Sequence, residues 1–374
     1  MRRLFKTCLI ATFSVGLMAC GSTDGNGPDE PEGYPALGAG SGELTSVQVD
    51  TIVDSEAGLD GPWDLAFNPE NTEQLWIVNH DDSSTVVVTA PGTEEQSAEK
   101  YDGPGHTHFM SEVASLAFGK PGFFATAQQE DERTQGNATP PDFMGSTLWT
   151  SDLSTFDAGH GGHYDMLHNS PNASGIAWEQ ANAYWVFDGY HDSITRYDFN
   201  EDHGAGGADH SDGIVRRYVE GEVGFEEGVV SHLAYDQETS LLYIADTANQ
   251  RVAVLDTTTG EVGGSITPNY DGSDQKHVNG ASIGTLIGGS DSSLQKPAGL
   301  EMHDGLLFVG DNATSTIYAF ELDGTMVDSL DLSSEIAMGG MQGLTLDAEG
   351  RIYVTDGAED RVVRLSATAE NAQP

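Results

Sequence analysis

Basic residues are scarce in this sequence of 374 residues. Lys and Arg together number 15 against 60 Asp and Glu, which gives a formal net charge of −45 at pH 7. A surface this acidic repels nucleic acid, so we expect no nucleic-acid partner. It attracts cations over a wide area, but we attribute most of the excess charge to a solvated surface that resists aggregation. Aromatic and β-branched residues remain plentiful, so disorder does not explain the composition.

No apolar run is long enough to cross a bilayer core of about 30 Å. The stretch from Leu9 to Leu17 follows three basic residues and ends in Leu17-Met18-Ala19-Cys20. This pattern is typical of an export leader, and its last four residues resemble the lipobox of bacterial lipoproteins. The resemblance implies cleavage after residue 19 and a diacylglyceryl thioether on Cys20. An ordinary signal peptide that happens to end in Ala-Cys is the alternative.

Cysteine is almost absent, with only Cys8 and Cys20. Because Cys8 leaves with the leader and Cys20 is alkylated, we expect no disulfide, thiolate nucleophile or cysteine metal site in the mature protein. Residues 20–43 have the Gly, Ser, Pro and acidic composition of a flexible tether. Gly21 stands where inner-membrane lipoproteins tend to have Asp, which indicates the outer membrane, facing either the periplasm or the outside. We therefore predict a leader over 1–19, a lipid-anchored tether over 20–43 and a folded domain over 44–374.

No helical period of comparable length occurs after the leader; a short strand pattern repeats six times instead. Each unit opens with a run of apolar and small residues. The six runs are Trp63-Asp64-Leu65-Ala66-Phe67, Ala114-Ser115-Leu116-Ala117-Phe118, Ser174-Gly175-Ile176-Ala177-Trp178, Ser231-His232-Leu233-Ala234-Tyr235, Ala298-Gly299-Leu300-Glu301-Met302 and Gln342-Gly343-Leu344-Thr345-Leu346. In five units an aromatic-rich second strand follows and ends in Asp or Asn. We expect the first strands to be buried around an axis and the aromatic ones to pack between blades. A closed ring of such blades buries faces that one blade cannot cover.

Two of these segments carry a family resemblance. Pro297-Ala298-Gly299-Leu300 and the run from Tyr243 to Val252 (Y-I-A-D-T-A-N-Q-R-V) resemble the NHL repeat, and the resemblance extends over residues 60–366. It implies an all-β chain folded as a six-bladed β-propeller of the NHL or TolB-like kind. The lone strand from Leu44 to Val53 would then complete the last blade. The resemblance also implies a structural role for the strand-ending carboxylates, which are Asp246, Asp311 and Asp356.

The histidines are concentrated on one face of the predicted propeller. In a blade of strands a to d, the d–a and b–c connections share the face where propellers usually function, and eight of the twelve histidines fall there. Three imidazoles and a carboxylate suit Zn²⁺ or another first-row ion with an open position. The candidate ligands are His106, His108, His163, His168, His232 and Asp64. Since no tight metal signature such as H-E-x-x-H is present, loop histidines bonded to backbone carbonyls are the alternative.

A second candidate site is the loop over residues 202–213, which is rich in oxygen ligands. Its candidate ligands for Ca²⁺ are Asp202, His203, Asp209, His210 and Asp212. The loop lacks the spacing and the closing Glu of an EF-hand, so that motif is excluded. A cluster of structural turns fits the same residues equally well.

Motifs for other chemistry are missing, because the sequence has neither a G-x-S-x-G nucleophile elbow nor a P-loop. We therefore expect a monomeric binding propeller that presents its channel mouth to a small molecule or a protein partner, with Zn²⁺ or Ca²⁺ as the candidate metal. The alternative is a metal-dependent lyase or hydrolase. The chain is distantly similar to the peptidyl-hydroxyglycine amidating lyases, whose channel metal is held by histidines, and to lactonase-like propellers, which hold Ca²⁺. The amidating lyases place histidines at the starts of several inner strands, and in this sequence only His232 is near such a position. The resemblance therefore does not establish catalysis.

Overall fold

A computed structural model describes residues 33–131, 143–158, 162–207, 209–288 and 293–369. The leader, Cys20 and most of the tether lie outside these ranges. One of the eight histidines predicted on the d–a and b–c face, His160, also lies outside them. Within them the chain forms strands arranged in six sheets, each made around one four-stranded antiparallel blade. None of the helices in this part of the chain has the length and apolar character needed to cross a bilayer.

The six blades follow one another along the chain. Blade 1 contains β2 (Pro62–Asn68), β3 (Asn71–Asn79), β4 (Ser84–Thr89) and β5 (Ser97–Tyr101). Blade 2 contains β6 (Val113–Phe118), β7 (Phe123–Gln128), β8 (Thr147–Thr150) and β9 (His163–Met166). Blade 3 contains β10 (Ala173–Gln180), β11 (Ala183–Asp188), β12 (Ser193–Asp198) and β13 (Ile214–Tyr218). Blade 4 contains β14 (Leu233–Asp236), β15 (Leu241–Asp246), β16 (Arg251–Asp256) and β19 (Ser282–Ile287). Blade 5 contains β20 (Pro297–His303), β21 (Leu306–Asp311), β22 (Thr316–Glu321) and β23 (Met326–Asp331).

Blade 6 joins the two ends of the described chain. It contains β24 (Met341–Leu346), β25 (Ile352–Asp356), β26 (Arg361–Ala367) and, as its outer strand, β1 (Val47–Val53). Strand β1 pairs antiparallel with β26, with Val49 opposite Leu365. Each inner strand contacts the next one, and β24 contacts β2, so the ring is closed. The predicted six-bladed β-propeller and its closure by an N-terminal strand are therefore confirmed.

The core lies between neighbouring blades, as the aromatic second strands predict. Trp76 on β3 is fully buried and meets Phe124 of blade 2 edge to face, with ring centroids 5.1 Å apart. Tyr353 on β25 contacts Phe67 of blade 1 in the same way, at 5.1 Å. Rings of this size bury large apolar areas and favour this offset geometry. Inter-blade packing is thus what holds the ring together.

The strand-ending carboxylates have the structural role predicted for them. Asp246 accepts a hydrogen bond from the Gly224 N–H at 2.7 Å and from the Arg251 guanidinium at 2.6 Å. Asp311 accepts the Lys296 N–H at 2.9 Å. Asp246 and Asp311 thus each join a b–c turn to the connection that enters the same blade, whereas Asp356 accepts the Arg361 guanidinium at 3.0 Å within its own blade.

Blade 3 carries two strands that the sequence repeat did not predict. A hairpin of β17 (Glu261–Ser265) and β18 (Asp274–Asn279) leaves the c–d connection of blade 4, and β18 pairs parallel with β13. The spacing of the inner strands indicates an insertion in blade 4. From Leu233 to Leu300 there are 67 positions, whereas from Leu300 to Leu344 there are 44. The extra length is what allows blade 4 to reach over the edge of its neighbour.

Short helical turns complete the described chain. They are the 3₁₀ turns Pro35–Leu37, Leu44–Ser46 and Ser55–Ala57, and the single-turn helices α1 (His106–Phe109) and α2 (Leu153–Phe156). Ala36 and Leu37 are buried in the core of blades 5 and 6, and the Tyr34 hydroxyl donates to the Gly350 carbonyl at 3.0 Å. The described end of the predicted tether therefore packs on the propeller, because Y-P-A-L is an apolar segment in an otherwise polar stretch.

Candidate functional site

A cavity of about 500 Å³ lies on the propeller axis. All six inner strands contribute to its wall, mostly through their C-terminal halves. Its lining includes Leu65, Phe67, Leu116, Phe118, Ile176, Trp178, Leu233, Tyr235, Leu300, Met302, Leu344 and Leu346. Pro69, Gly119 and Gln237 from the a–b turns also line it, so the cavity opens towards the a–b and c–d face. Its volume is in the range of small-molecule sites.

Two carboxyl groups and one imidazole line this cavity, those of Asp64, Glu301 and His232, which we call the floor group. Asp64 and His232 belong to blades 1 and 4, which are opposite one another in the ring. Nε2 of His232 is 3.3 Å from Oδ1 of Asp64, so the two side chains meet across the axis. The Asp64 carboxyl also accepts the Leu65 N–H at 2.7 Å and the Leu116 N–H at 2.9 Å, which fixes its position.

Burial decides the protonation of the floor group. It raises the pKa of Asp64 well above its usual range, although the two backbone N–H groups oppose this shift. It lowers the pKa of His232 to about 3. Burial therefore disfavours the charged form of each of these two side chains. Burial also raises the pKa of Glu301 to about 7, although this side chain keeps some surface within the cavity.

The opposite end of the channel is closed by apolar side chains. Trp63, Ala114, Val229, Val230 and Ala298 form a buried cluster, which we call the apolar plug. The Gln342 side chain holds the connection that carries Val229 and Val230 in place. It accepts the Val230 N–H at 3.1 Å and donates to the Gly228 carbonyl at 3.0 Å. Trp63, Ala114 and Ala298 lie at the starts of inner strands, and Val229 and Val230 lie in the connection that enters blade 4, so the plug is on the d–a and b–c face. The open cavity is therefore at the other end from the face where the sequence placed the function.

The structure divides the predicted zinc ligands between separate places. Asp64 and His232 meet on the axis, as described above. His106 in α1 is buried, and its two ring nitrogens lie 3.1 Å from the Phe156 carbonyl and 3.3 Å from the Tyr101 carbonyl. His108 is half-buried with its ring against Phe109, at 4.6 Å between centroids. The carbonyl contacts of His106 are those of a loop histidine, which was the alternative interpretation.

The other two predicted zinc ligands lie at the outer edge of blade 2. His163 begins β9 and stacks on Phe109, with centroids 3.7 Å apart. His168 follows β9, and its Nδ1 contacts the Asp271 carboxylate from the inserted hairpin of blade 4. The same carboxylate accepts the His168 backbone N–H at 3.1 Å. Neither histidine contributes to the cavity wall.

The acidic loop of blade 3 separates its carboxylates from its histidines. Asp202, Asp209 and Asp212 each accept nearby backbone N–H groups, from Gly204 at 3.2 Å, Ser211 at 3.1 Å and Glu201 at 3.1 Å. His203 and His210 instead turn inward to Asp165 on β9. Nδ1 of His210 is 2.7 Å from Oδ1 of Asp165, and Nε2 of His203 is 3.8 Å from the same oxygen.

Asp165, His203 and His210 form what we call the histidine cluster. Their ligand atoms lie within 4.8 Å of one another, and in the described ranges no other set of three His, Cys, Asp or Glu side chains is this close. Asp165 is fully buried and His203 nearly so. The cluster is thus a candidate metal site, built from two residues of the predicted calcium set and one that the sequence did not indicate.

Sequence reasoning missed Glu301, Asp165 and Asp271. Glu301 had a signal, because a charged residue in a run predicted to be buried on both faces is anomalous. Asp165 lies between His163 and His168 in the sequence. Nothing in the sequence indicated Asp271. It contacts His168 because the inserted hairpin of blade 4 pairs with the outer strand of blade 3.

Comparison with known proteins gives structural neighbours but no sequence relatives. The chain matches no protein-family profile and no curated protein sequence. An auxiliary nutrient-binding protein of Bacteroides ovatus superposes with a TM-score of 0.55 at 13% identity, covering 86% of this chain and 76% of that one. Virginiamycin B lyase of Staphylococcus aureus gives 0.51 at 11%, covering 86% and 99%. A luciferin-regenerating enzyme gives 0.51 at 12%, covering 86% and 96%.

The fold and the site together define the class of protein. It is a six-bladed β-propeller with an axial cavity that is open at one end and plugged at the other. Its structural neighbours are consistent with the distant NHL-like and lactonase-like resemblance of the sequence. At these identities the neighbours establish the fold and not the activity.

Proposed function

We propose that this chain binds a small organic molecule in the axial cavity. The observation that carries the proposal is the floor group, an imidazole and two carboxyl groups that lie together in the axial cavity. Nε2 of His232 lies 3.3 Å from Oδ1 of Asp64, but the contact does not have hydrogen-bond geometry, so this buried nitrogen has no hydrogen-bond partner in the described part of the chain. A buried polar atom without a partner is costly, so a ligand that bonds to it gains affinity.

The cavity chemistry narrows the class of ligand. Inner-strand side chains such as Leu65, Leu300 and Leu344 pack into the inter-blade cores, so the wall presents polar as well as apolar groups and suits a small molecule that has both. Asp64 and Glu301 offer carboxyl oxygens to hydroxyl or amine donors, and the net charge of −45 disfavours anions. We therefore propose a neutral or cationic ligand that carries hydroxyl or amine groups at one end. The Bacteroides ovatus neighbour, called an auxiliary nutrient-binding protein, supports a binding role through its shared fold alone.

A ligand panel tests the proposal. The purified full chain is screened by thermal shift against amines, amino acids, sugars and nucleosides, and binders are measured by calorimetry. A ligand at 100 times its Kd stabilises the protein by about 2.7 kcal/mol. We expect Ala234→Phe, which adds an aromatic ring to the cavity wall, to weaken binding at least about 10-fold.

The matched control for this screen is Glu359→Gln, on an exposed turn away from the cavity. It should leave every affinity unchanged, whereas Glu301→Gln should alter it. Binders that are indifferent to both Ala234→Phe and Glu301→Gln would show that the cavity is not the binding site.

We further propose that the protein acts as a monomer, anchored in a bacterial envelope through lipid on Cys20. The leader and lipobox resemblance support this address, as do the bacterial neighbours of nutrient-binding type. Growth of the bacterium with an alkyne fatty acid should label the chain, and Cys20→Ser should abolish the label. A label that persists in Cys20→Ser would contradict the anchor.

Light scattering of the purified chain tests the oligomeric state, and a mass above that of one chain would contradict the monomer.

A second candidate is acid–base catalysis in the same cavity. Glu301, with its pKa raised to about 7, can both accept and donate a proton near neutral pH. Each panel binder is therefore incubated with the protein and followed by mass spectrometry. An unchanged mass is expected for a binding protein; conversion that Glu301→Gln abolishes, with binding retained, would establish the enzyme instead.

The zinc or calcium predicted from the sequence is not part of the proposed cavity function. The floor group does not meet as a set within the 4.8 Å that unites the histidine cluster. Ligand binding in the cavity and metal binding are thus separable properties of the molecule.

A further inference from the structure

Three blades converge at the outer edge of blade 2, far from the cavity wall. Asp165 belongs to β9 of blade 2, His203 and His210 to the c–d connection of blade 3, and Asp271 to the hairpin from blade 4. The blade 3 connection lies along β9, where the His203 N–H donates to the Tyr164 carbonyl at 3.2 Å. Side chains from distant parts of the sequence are therefore held together by backbone contacts.

We propose that the histidine cluster binds a zinc-type divalent ion that fastens the blade 3 connection to blade 2, with Asp165, His203 and His210 as protein ligands. The proposal goes beyond ligand binding in the cavity and does not depend on it.

Buried atoms without partners point to an ion at this place. Oδ2 of Asp165 and Nε2 of His203 have no hydrogen-bond partner among the residues that the structure describes, and both are buried. Nε2 of His168 is also buried and has no hydrogen-bond partner in this part of the structure. Its ring centroid is 6.2 Å from that of His210. Leaving a buried polar atom without a partner is destabilising, so several such atoms in one group point to something that binds them.

The second contacts of the histidines orient these atoms. Nδ1 of His203 lies 2.9 Å from the Gly204 carbonyl, which makes it the protonated nitrogen and leaves the Nε2 lone pair towards Asp165. Nδ1 of His168 contacts Asp271, which directs its Nε2 in the same manner. Metal-bound histidines commonly have a carbonyl or a carboxylate at their other nitrogen.

Distances in the cluster suit a tetrahedral ion. Ligand atoms about 2.0–2.1 Å from Zn²⁺ lie about 3.3 Å from one another. The two nitrogen-to-oxygen distances in the cluster, 2.7 Å and 3.8 Å, bracket this value. The third pair, the two histidine nitrogens, lies within 4.8 Å, so displacements of at most about 1.5 Å bring all three ligands to one centre.

The donor atoms select the kind of ion. Two imidazoles and one carboxylate suit Zn²⁺ and its first-row neighbours, whereas Ca²⁺ takes six to eight oxygen ligands. The loop carboxylates that would have supplied those oxygens instead accept local backbone N–H groups. Of the two ions considered from the sequence, the geometry therefore favours zinc.

The test is a metal titration of the purified full chain after chelator treatment. We expect one Zn²⁺ per chain with a Kd below about 1 µM, a rise in Tm, and protection of residues 199–213 from proteolysis. Co²⁺ in the same site should give the strong visible absorption of a tetrahedral complex. Ca²⁺ at the same concentration should do none of this.

Variants identify the ligands. His203→Ala, which removes one of the three proposed ligands, should weaken Zn²⁺ binding at least about 100-fold. His303→Ala is the matched control, because His303 is a part-exposed histidine of blade 5, outside the histidine cluster, with Nε2 3.5 Å from Asp304. It should leave the Zn²⁺ affinity unchanged.

The titration of the wild-type chain can overturn the inference by itself, so the test does not depend on whether a variant folds. A metal-free wild-type chain that binds Zn²⁺ no tighter than about 100 µM, or that prefers Ca²⁺, contradicts the proposed site. Tight binding that survives His203→Ala and is lost in His303→Ala would place the ion elsewhere. None of these results bears on ligand binding in the cavity, which the panel measures separately.

Discussion

Glu301 is the residue on which the cavity chemistry depends most. Its carboxyl ionises at about pH 7 in the folded chain, against about 4.5 for the same group unperturbed. Between these values the folded state retains a proton that the unfolded state has lost, so the stability supplied by this group falls as pH rises. Its full stabilising effect is present below about pH 4.5 and is gone above about pH 7.

Glu301→Gln should therefore change how stability depends on pH. Because Gln stays neutral, we expect the variant to gain about 1–3 kcal/mol relative to wild type between pH 5 and pH 8. The upper figure is reduced from the full shift because water reaches the cavity. Urea unfolding at both pH values measures it, with Glu359→Gln as the control that should show no gain. Identical pH profiles for wild type and Glu301→Gln would contradict the buried, proton-binding carboxyl.

Two inner-strand glycines show what residue types alone could not decide. Gly299 and Gly343 stand on the inner strands of blades 5 and 6. In the structure a Cβ at Gly299 would lie 2.7 Å from the Gln342 carbonyl oxygen, and one at Gly343 would lie 2.7 Å from that of Trp63. Close approach of neighbouring inner strands therefore requires glycine at both positions, and these positions cannot offer a side chain to a ligand.

Strand β1 is the element that closes the ring, and it was predicted from its alternation alone. Ile52 and Val53 are buried between blades 1 and 6, in the same core cluster as Tyr353. Without this strand, β26 would be an unpaired edge, and the apolar side chains beneath it would meet water.

Truncation of Ile52 measures this closure. Ile52→Ala should lower the free energy of unfolding by about 2–4 kcal/mol, because the lost methylenes leave a cavity in the core. Val262→Ala, at a β17 position that is 60% exposed, should change it by less than about 0.5 kcal/mol. If both variants unfold at the wild-type urea midpoint, β1 frays independently and does not hold the ring.

At the scale of elements, the sequence predicted the blades well because each repeats one pattern of burial. The arrangement of the site was less accessible. The apolar plug depends on the connection that carries Val229 and Val230 across the axis, and nothing in its local pattern indicates that path. The histidine cluster depends on long c–d connections that lie back over a neighbouring blade. Such non-local contacts leave no periodic trace in the sequence.

The whole molecule carries a net charge of −45, which opposes the compact state through self-repulsion. Raising NaCl from about 0.01 M to about 0.5 M shortens the screening length from about 30 Å to a few ångströms. We therefore expect the Tm at pH 7.5 to rise over this range in scanning calorimetry. KCl at equal ionic strength should act alike, because screening is not specific to the ion; a Tm that is flat or falls with both salts would show that repulsion is unimportant here.

The central claim is that the open end of the axial channel, and not the plugged end, binds the ligand. A crystal structure of the protein with the tightest binder from the panel tests this most directly. We predict ligand density inside the cavity, with a polar group of the ligand within hydrogen-bond distance of Nε2 of His232 or of the Glu301 carboxyl. Density at the d–a and b–c face, beyond Trp63 and Val230, with an empty axial cavity would contradict the account.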